Sequence, residues 1–323
     1  QCSYKRKLSI MLYKAISNNS TVASYVLAFL AFAGSISIAC FFPDETSFQV
    51  FGSSIVGVIS HVLLIFIVSY YCQFIYENLK ISNRGDNSIF IVLLFTLSLT
   101  IGGKESFWFL IGSLISLHIY ARIMSLYNKS NSSIEEFEIG ILAGIAFVIN
   151  PVFLFLVLFI IVSMSSVKTN QWRDYAVVIL GYFFVFTVIF AYHILADHSP
   201  LLMLEMLPDF SIIDVSRIDR KEQLVNAGLL LFLLIGLRHC VSRLDKMNIK
   251  DRLHYKNLIG LLVCFFVGLL VIKNTTSLVK ILVVLSILSM GISQPFFQVK
   301  KRALWDNLFI LLLLVSAVAY KVF

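Results

Sequence analysis

Charge is scarce in this chain. Of its 323 residues 14% are charged and 59% are hydrophobic, where an average soluble domain carries roughly 25% charged residues. The mean hydropathy is +0.90. A soluble chain of this length has no core large enough to hide so much apolar surface, so lipid is the expected solvent for most of it. Catalytic signatures are missing as well. No H-E-x-x-H, Walker loop, dinucleotide fingerprint or G-x-S-x-G occurs, which disfavours the enzyme classes built on them. There is no C-x-x-C pair. Cys2, Cys40, Cys72, Cys240 and Cys264 lie mostly in or beside apolar runs and read as small apolar fillers. No coiled coil, low-complexity tract, internal repeat or polar stretch long enough for a second soluble domain is visible. The last absence bears on the net charge of +8. With no polar domain to carry a nucleic-acid surface, the surplus belongs to the cytoplasmic side of a membrane protein.

What is present is a ladder of about eleven apolar runs near bilayer width. They are Val22–Phe42, Phe51–Tyr76, Ile89–Gly102, Phe107–Tyr127, Ile139–Asn150, Val152–Ser165, Tyr175–Ala196, Asn226–Arg238, Asn257–Ile272, Leu278–Met290 and Asn307–Tyr320. Val22–Phe42 comes after a basic segment. It is long, has no small-residue cleavage site and precedes many more runs, so it reads as a retained helix and not a signal peptide. The expected fold is all-α, a polytopic transmembrane bundle forming one integral membrane domain. Several runs are short. Those joined at Gly103-Lys104-Glu105-Ser106 and at Pro151 are either antiparallel spans or half-helices re-entering from one face.

Lys and Arg fall on alternate connections at roughly three to one. The rich set holds Lys5, Arg6, Lys7, Lys14, Lys80, Arg84, Arg122, Lys129, Lys168, Arg173, Arg238, Arg243, Lys246, Lys250, Arg252, Lys256, Lys300, Lys301 and Arg302. The poor set holds Lys104, Arg217, Arg220, Lys221, Lys273, Lys280 and Lys321. The expected N-terminus is therefore cytoplasmic, in a bacterial inner membrane. The long basic connection Arg238 to Lys256 should lie against anionic headgroups. On the other face, Asp197 to Glu222 mixes apolar residues with acids and bases, as an amphipathic segment in the outer interface would.

Few residues on that outer face suit chemistry. Asp44 and Glu45 are adjacent acids at the mouth of the first run. A half-desolvated carboxylate there suits a general base or a metal ligand, although two solvated charges ending a helix explain them equally simply. Lys104 and Glu105 come directly after Gly102-Gly103. An outer cation suits a phosphate, and the plainer reading is a local Lys–Glu pair. Gly140 and Gly144 share a helix face and favour close packing, leaving Asn150, before Pro151, as the polar candidate of that run. Arg217, Arg220 and Lys221 break the charge trend within a short stretch that also holds Asp214, Asp219 and Glu222. They are either a lipid-phosphate site or a self-neutralised helix. His61 and His118, inside runs, are expected to make interhelical hydrogen bonds. No ligand set defines a metal, and a divalent ion at the acid pair is the one cofactor to consider.

The run from Glu138 to Leu158, EIGILAGIAFVINPVFLFLVL, resembles the glycine-punctuated helix pair of the GT-C superfamily of polyprenyl-phosphate-sugar-dependent glycosyltransferases. The wider order is similar: an acid pair after the first run, paired short helices, and Trp172-Arg173 before the seventh run, with a larger outer loop after it. The likeness covers roughly residues 1–225, leaving 226–323 as a C-terminal helix bundle. The whole chain also resembles an uncharacterised polytopic inner-membrane family common in Bacteroidota. The GT-C resemblance implies that Asp44 or Glu45 deprotonates an acceptor hydroxyl while polyprenyl phosphate leaves. It implies that Arg217, Arg220 or Lys104 holds that phosphate.

Three functions fit these features. One is transfer of a sugar or related group from a lipid carrier at the outer face. Another is a non-catalytic subunit scaffolding an envelope complex with protein partners, which suits the small outer loops, the short connection between Phe42 and Phe51 and the absence of an evident buried charged relay. Transport ranks third, because mid-span charged residues are nearly absent.

Overall fold

A computed structural model of the chain describes residues 54–78, 104–127, 129, 132–168, 172–196, 238, 241, 244 and 248–271. The predicted runs Val22–Phe42, Ile89–Gly102, Leu278–Met290 and Asn307–Tyr320 lie outside them, as does nearly all of Asn226–Arg238. Every regular element described is helical, with no strand among the described residues. The helices are α1 (Ser54–Asn78), α2 (Lys104–Ser125), α3 (Ser133–Ile149), a short 3-10 helix (Pro151–Phe155), α4 (Leu156–Val167), α5 (Trp172–Leu195) and α6 (Ile249–Val271).

Two helices start well ahead of expectation. α3 starts at Ser133, ahead of the predicted Ile139, with Glu135 and Glu136 in its first turn, where carboxylates complement the helix dipole. α6 starts at Ile249 and not at Asn257. The segment Ile249 to Lys256, expected within a loop, is thus helical.

α3 ends where proline dictates. The residue before Pro151 is pushed out of the helical region, and Asn150 has φ −154° and ψ 126°. The Asn150 side chain then accepts the Val152 N–H at 3.0 Å, and its carbonyl accepts the Phe153 N–H at 3.0 Å. A capping asparagine with proline at the first helical position starts a new helix at once. The chain reverses, and the 3-10 helix and α4 form the second arm of a hairpin whose first arm is α3.

Among the described residues, two helices are long and apolar enough to cross a membrane, Phe107–Ser125 and Trp172–Leu195; Ile59–Ile75 and Pro151–Val167 are shorter apolar helices. α2 is largely buried and α5 largely exposed. Leu180, Phe183, Phe184, Val188 and Tyr192 all stand exposed on α5.

The chain divides into two compact units, one of Gln1–Leu110, Ile218–Asp251 and Ser277–Phe323, the other of Ile111–Arg217 and Arg252–Thr276. In the first, α1 buries Val62, Ile65, Val68, Cys72 and Ile75, while Leu63, Phe66, Ile67, Tyr70 and Phe74 are exposed. A helix apolar on both faces needs an apolar surrounding for each. The His61 ring meets Phe107 with centroids 6.1 Å apart.

In the second unit two seams hold the hairpin. Along α3 and α5, glycines let backbones touch. A methyl on Gly140 would overlap the Val178 carbonyl and sit 3.0 Å from Gly181 Cα; one on Gly144 would sit 3.0 Å from the Tyr182 carbonyl oxygen. The packing role expected for Gly140 and Gly144 is what the structure displays. The 3-10 helix uses a different device. The Phe153 ring fills the space a side chain at Gly112 would need, and Gly268 accommodates Phe155 and the Val152 carbonyl. Phe153 also meets Phe265 edge-on, centroids 5.5 Å apart. A segment of α2, the 3-10 helix and α6 thus interlock ring into notch.

Polar ties fix the direction of the helices. Tyr120 Oη donates to the His254 carbonyl at 3.2 Å. Ser166 Oγ donates to Asn257 Oδ1 at 3.0 Å, and Asn257 Nδ2 donates to Met124 Sδ at 3.8 Å. The C-terminal ends of α2 and α4 therefore lie with the N-terminal part of α6.

Candidate functional site

Asp44, Glu45, Arg217, Arg220 and Lys221 lie outside the described residues. Lys104 and Glu105 are the first residues of α2. Asn150 sits at the hairpin turn, and its amide oxygen is engaged by the Val152 N–H, a capping duty.

The most developed polar arrangement among the described residues lies elsewhere. It lies at the opposite end of the hairpin, where α3 begins, α4 ends and α5 begins. Lys168 comes directly after α4 and turns away in an extended conformation, φ −126° and ψ 153°. Its Nζ donates to Glu136 Oε1 at 2.7 Å and to Ser132 Oγ at 3.0 Å. It lies 3.0 Å from Asp174 Oδ2. An ammonium has three donors, and these three acceptors match them. Ser132 Oγ also donates to Glu136 Oε1 at 2.6 Å.

The groups around Lys168 are removed from solvent, and Lys168 itself is half-buried. Glu136 is 0% exposed, and Ser132 and Asp174 are also buried. Glu136 Oε2 is buried without a hydrogen-bond partner. Burial alone would push the Lys168 pKa down, but its hydrogen bonds to Glu136 and Asp174, with the charges behind them, outweigh it and hold the pKa above its ordinary value. A buried charge persists only when it is paired and hydrogen-bonded. Lys168 meets both conditions, and in doing so joins three helix ends.

Further pairs lie on the same helix ends. Arg122 Nη2 is 3.4 Å from Glu138 Oε2, and Lys129 Nζ is 2.6 Å from Glu135 Oε1. Both are partly exposed and individually weak. Arg122 Nε donates to His118 Nε2 at 3.4 Å, so His118 accepts a bond from within its own helix. Among the described residues there is no group of three or more His, Cys, Asp or Glu able to hold a metal ion.

The chain matches no protein family, no curated protein and no solved structure.

A signal for the Lys168 cluster does exist in the sequence. Glu136 and Lys168 are 32 residues apart, and Val152, at the turn, is the midpoint of that interval. Residues equidistant from a hairpin turn face one another near the same level. Reading Asn150-Pro151 as a turn, and not only as a helix end, pairs the two.

Proposed function

We propose that this chain is a multi-pass protein of the bacterial inner membrane that transfers a sugar, or a related group, from a polyprenyl-phosphate-linked donor at the outer face, in the manner of GT-C enzymes. The hairpin of α3, the 3-10 helix and α4 carries this reading. It is the element on which the resemblance rests: a glycine-punctuated helix, an Asn-Pro step and a second short helix. The exposed apolar face of α5 supports a lipid surrounding. In this reading the N-terminus is cytoplasmic, Asp44 and Glu45 take the acceptor proton, and Lys104, Arg217, Arg220 or Lys221 holds the departing phosphate. The test uses membranes containing the full chain and a panel of labelled polyprenyl-phosphate sugars. Asp44→Asn and Glu45→Gln should abolish transfer with the protein still inserted. Wild-type rates in both variants overturn the enzyme.

A second reading is a non-catalytic subunit of an envelope complex. It is favoured by the use of the described polar groups in holding helices together, Asn150 as a cap and Lys168 as a shared cation. Purification in mild detergent should then bring stoichiometric partners, and a clean monomer counts against it.

A further inference from the structure

The ion pairs at the Lys168 end leave a surplus of one sign. Glu136 and Asp174 are buried around Lys168. Glu138 is taken by Arg122 and Glu135 by Lys129. The acids at this end of α3 and α5 are thereby matched internally. Arg173, in the first turn of α5, and Lys256, in the first part of α6, are both exposed and have no ion pair among the described residues. Beside Arg173 stands Trp172, 82% exposed at the first position of the most lipid-suited helix. Ile134, at the start of α3, is 77% exposed. A large amphipathic ring beside a guanidinium, on a helix end, suits the headgroup layer: the indole sits at the apolar boundary and the fork meets phosphate oxygens.

Resting on the membrane reading above, we propose that this end of the bundle is a docking surface for anionic phospholipid headgroups, held by Trp172, Arg173 and Lys256. The burial of Glu136 and Asp174 is part of the device. It removes from the surface two carboxylates that would repel the phosphates. Such a surface selects anionic over zwitterionic lipid, because only the former brings net negative charge.

The test reconstitutes the full chain with brominated phosphatidylglycerol or brominated phosphatidylcholine and reads quenching of tryptophan fluorescence, which gives the relative affinity for the two. Wild type should prefer phosphatidylglycerol. Arg173→Gln with Lys256→Gln should reduce that preference by about fivefold per cation removed, leaving phosphatidylcholine binding and the melting temperature unchanged. Trp172→Phe should remove the component that responds to the headgroup. An unchanged preference in a normally melting double variant overturns the proposal, as does a wild type without preference. Loss of a co-purifying acidic protein in the double variant, with lipid preference intact, overturns it in favour of a protein partner. A wild-type chain that carbonate strips from vesicles fails at the membrane reading itself and takes this proposal with it. A chain that resists carbonate but shows no preference sinks only the lipid surface.

Discussion

The two arms of the central hairpin are similar in length yet packed by opposite means. α3 meets α5 where side chains are missing, with Gly140, Gly144 and Gly181 bringing backbone against backbone. The other arm meets α2 and α6 through a side chain that is present, the Phe153 ring seated on Gly112 and against Phe265. The first seam has no room for an added atom, and the second fails when atoms are removed. Only the open end, where Lys168 binds Glu136 and Asp174, depends on charge.

Breaking the charged end should have the largest effect. Lys168→Met strands two buried carboxylates, and unfolding in detergent should show a loss of about 3–5 kcal/mol. A loss within the range of an exposed pair would mean the helix ends are held by something else. The ring seam comes next. Phe153→Ala should cost about 3 kcal/mol through the cavity it leaves. The glycine seam should respond to the reverse change, with Gly140→Ala costing about 2 kcal/mol by overpacking. If Gly140→Ala is silent while Phe153→Ala is not, α3 and α5 are not in backbone contact. At the turn, Asn150→Ala should cost about 1 kcal/mol, the value of a lost cap, measured by the same unfolding. The smallest effect is that of pH. Lys168 binds its proton more tightly folded than unfolded, so its contribution is complete below the ordinary value of 10.5 and fades as pH climbs through the raised one. Melting curves of wild type minus Lys168→Met should be flat from about pH 7 to 9 and converge only in stronger alkali. Convergence near neutrality would contradict the buried pair.

Features governed by local rules are legible in the sequence. Glycines four apart read as a packing face, and Gly140 and Gly144 form one. Asn150-Pro151 reads as a helix end, and it is one. Arg122, Lys168 and Arg173, all in the cation-rich set, stand at or next to helix ends. Features that depend on distant partners are not legible in this way. Nothing near Gly112 indicates that Phe153 will occupy its place, and Glu136 is paired with Lys168 only once Asn150-Pro151 is taken as the turn midway between them. The start of α6 escapes an apolar-run criterion because Ile249 to Lys256 is charged, and such a criterion excludes a helix that continues past an interface. Asp44, Glu45, Arg217, Arg220 and Lys221 lie beyond the described residues, so their convergence is a matter for the transfer assay.

On the membrane reading proposed above, the hairpin's self-contained turn has a consequence for the lipid around it. α3 has 17 residues, a rise of about 25 Å, whereas the hydrocarbon layer is about 30 Å thick. The bend at Pro151, which has no N–H to satisfy, hands the next two amide protons to Asn150 and can lie below the headgroups without water. Lipid beside a helix this short would then have to thin, leaving a shallow dimple at the turn.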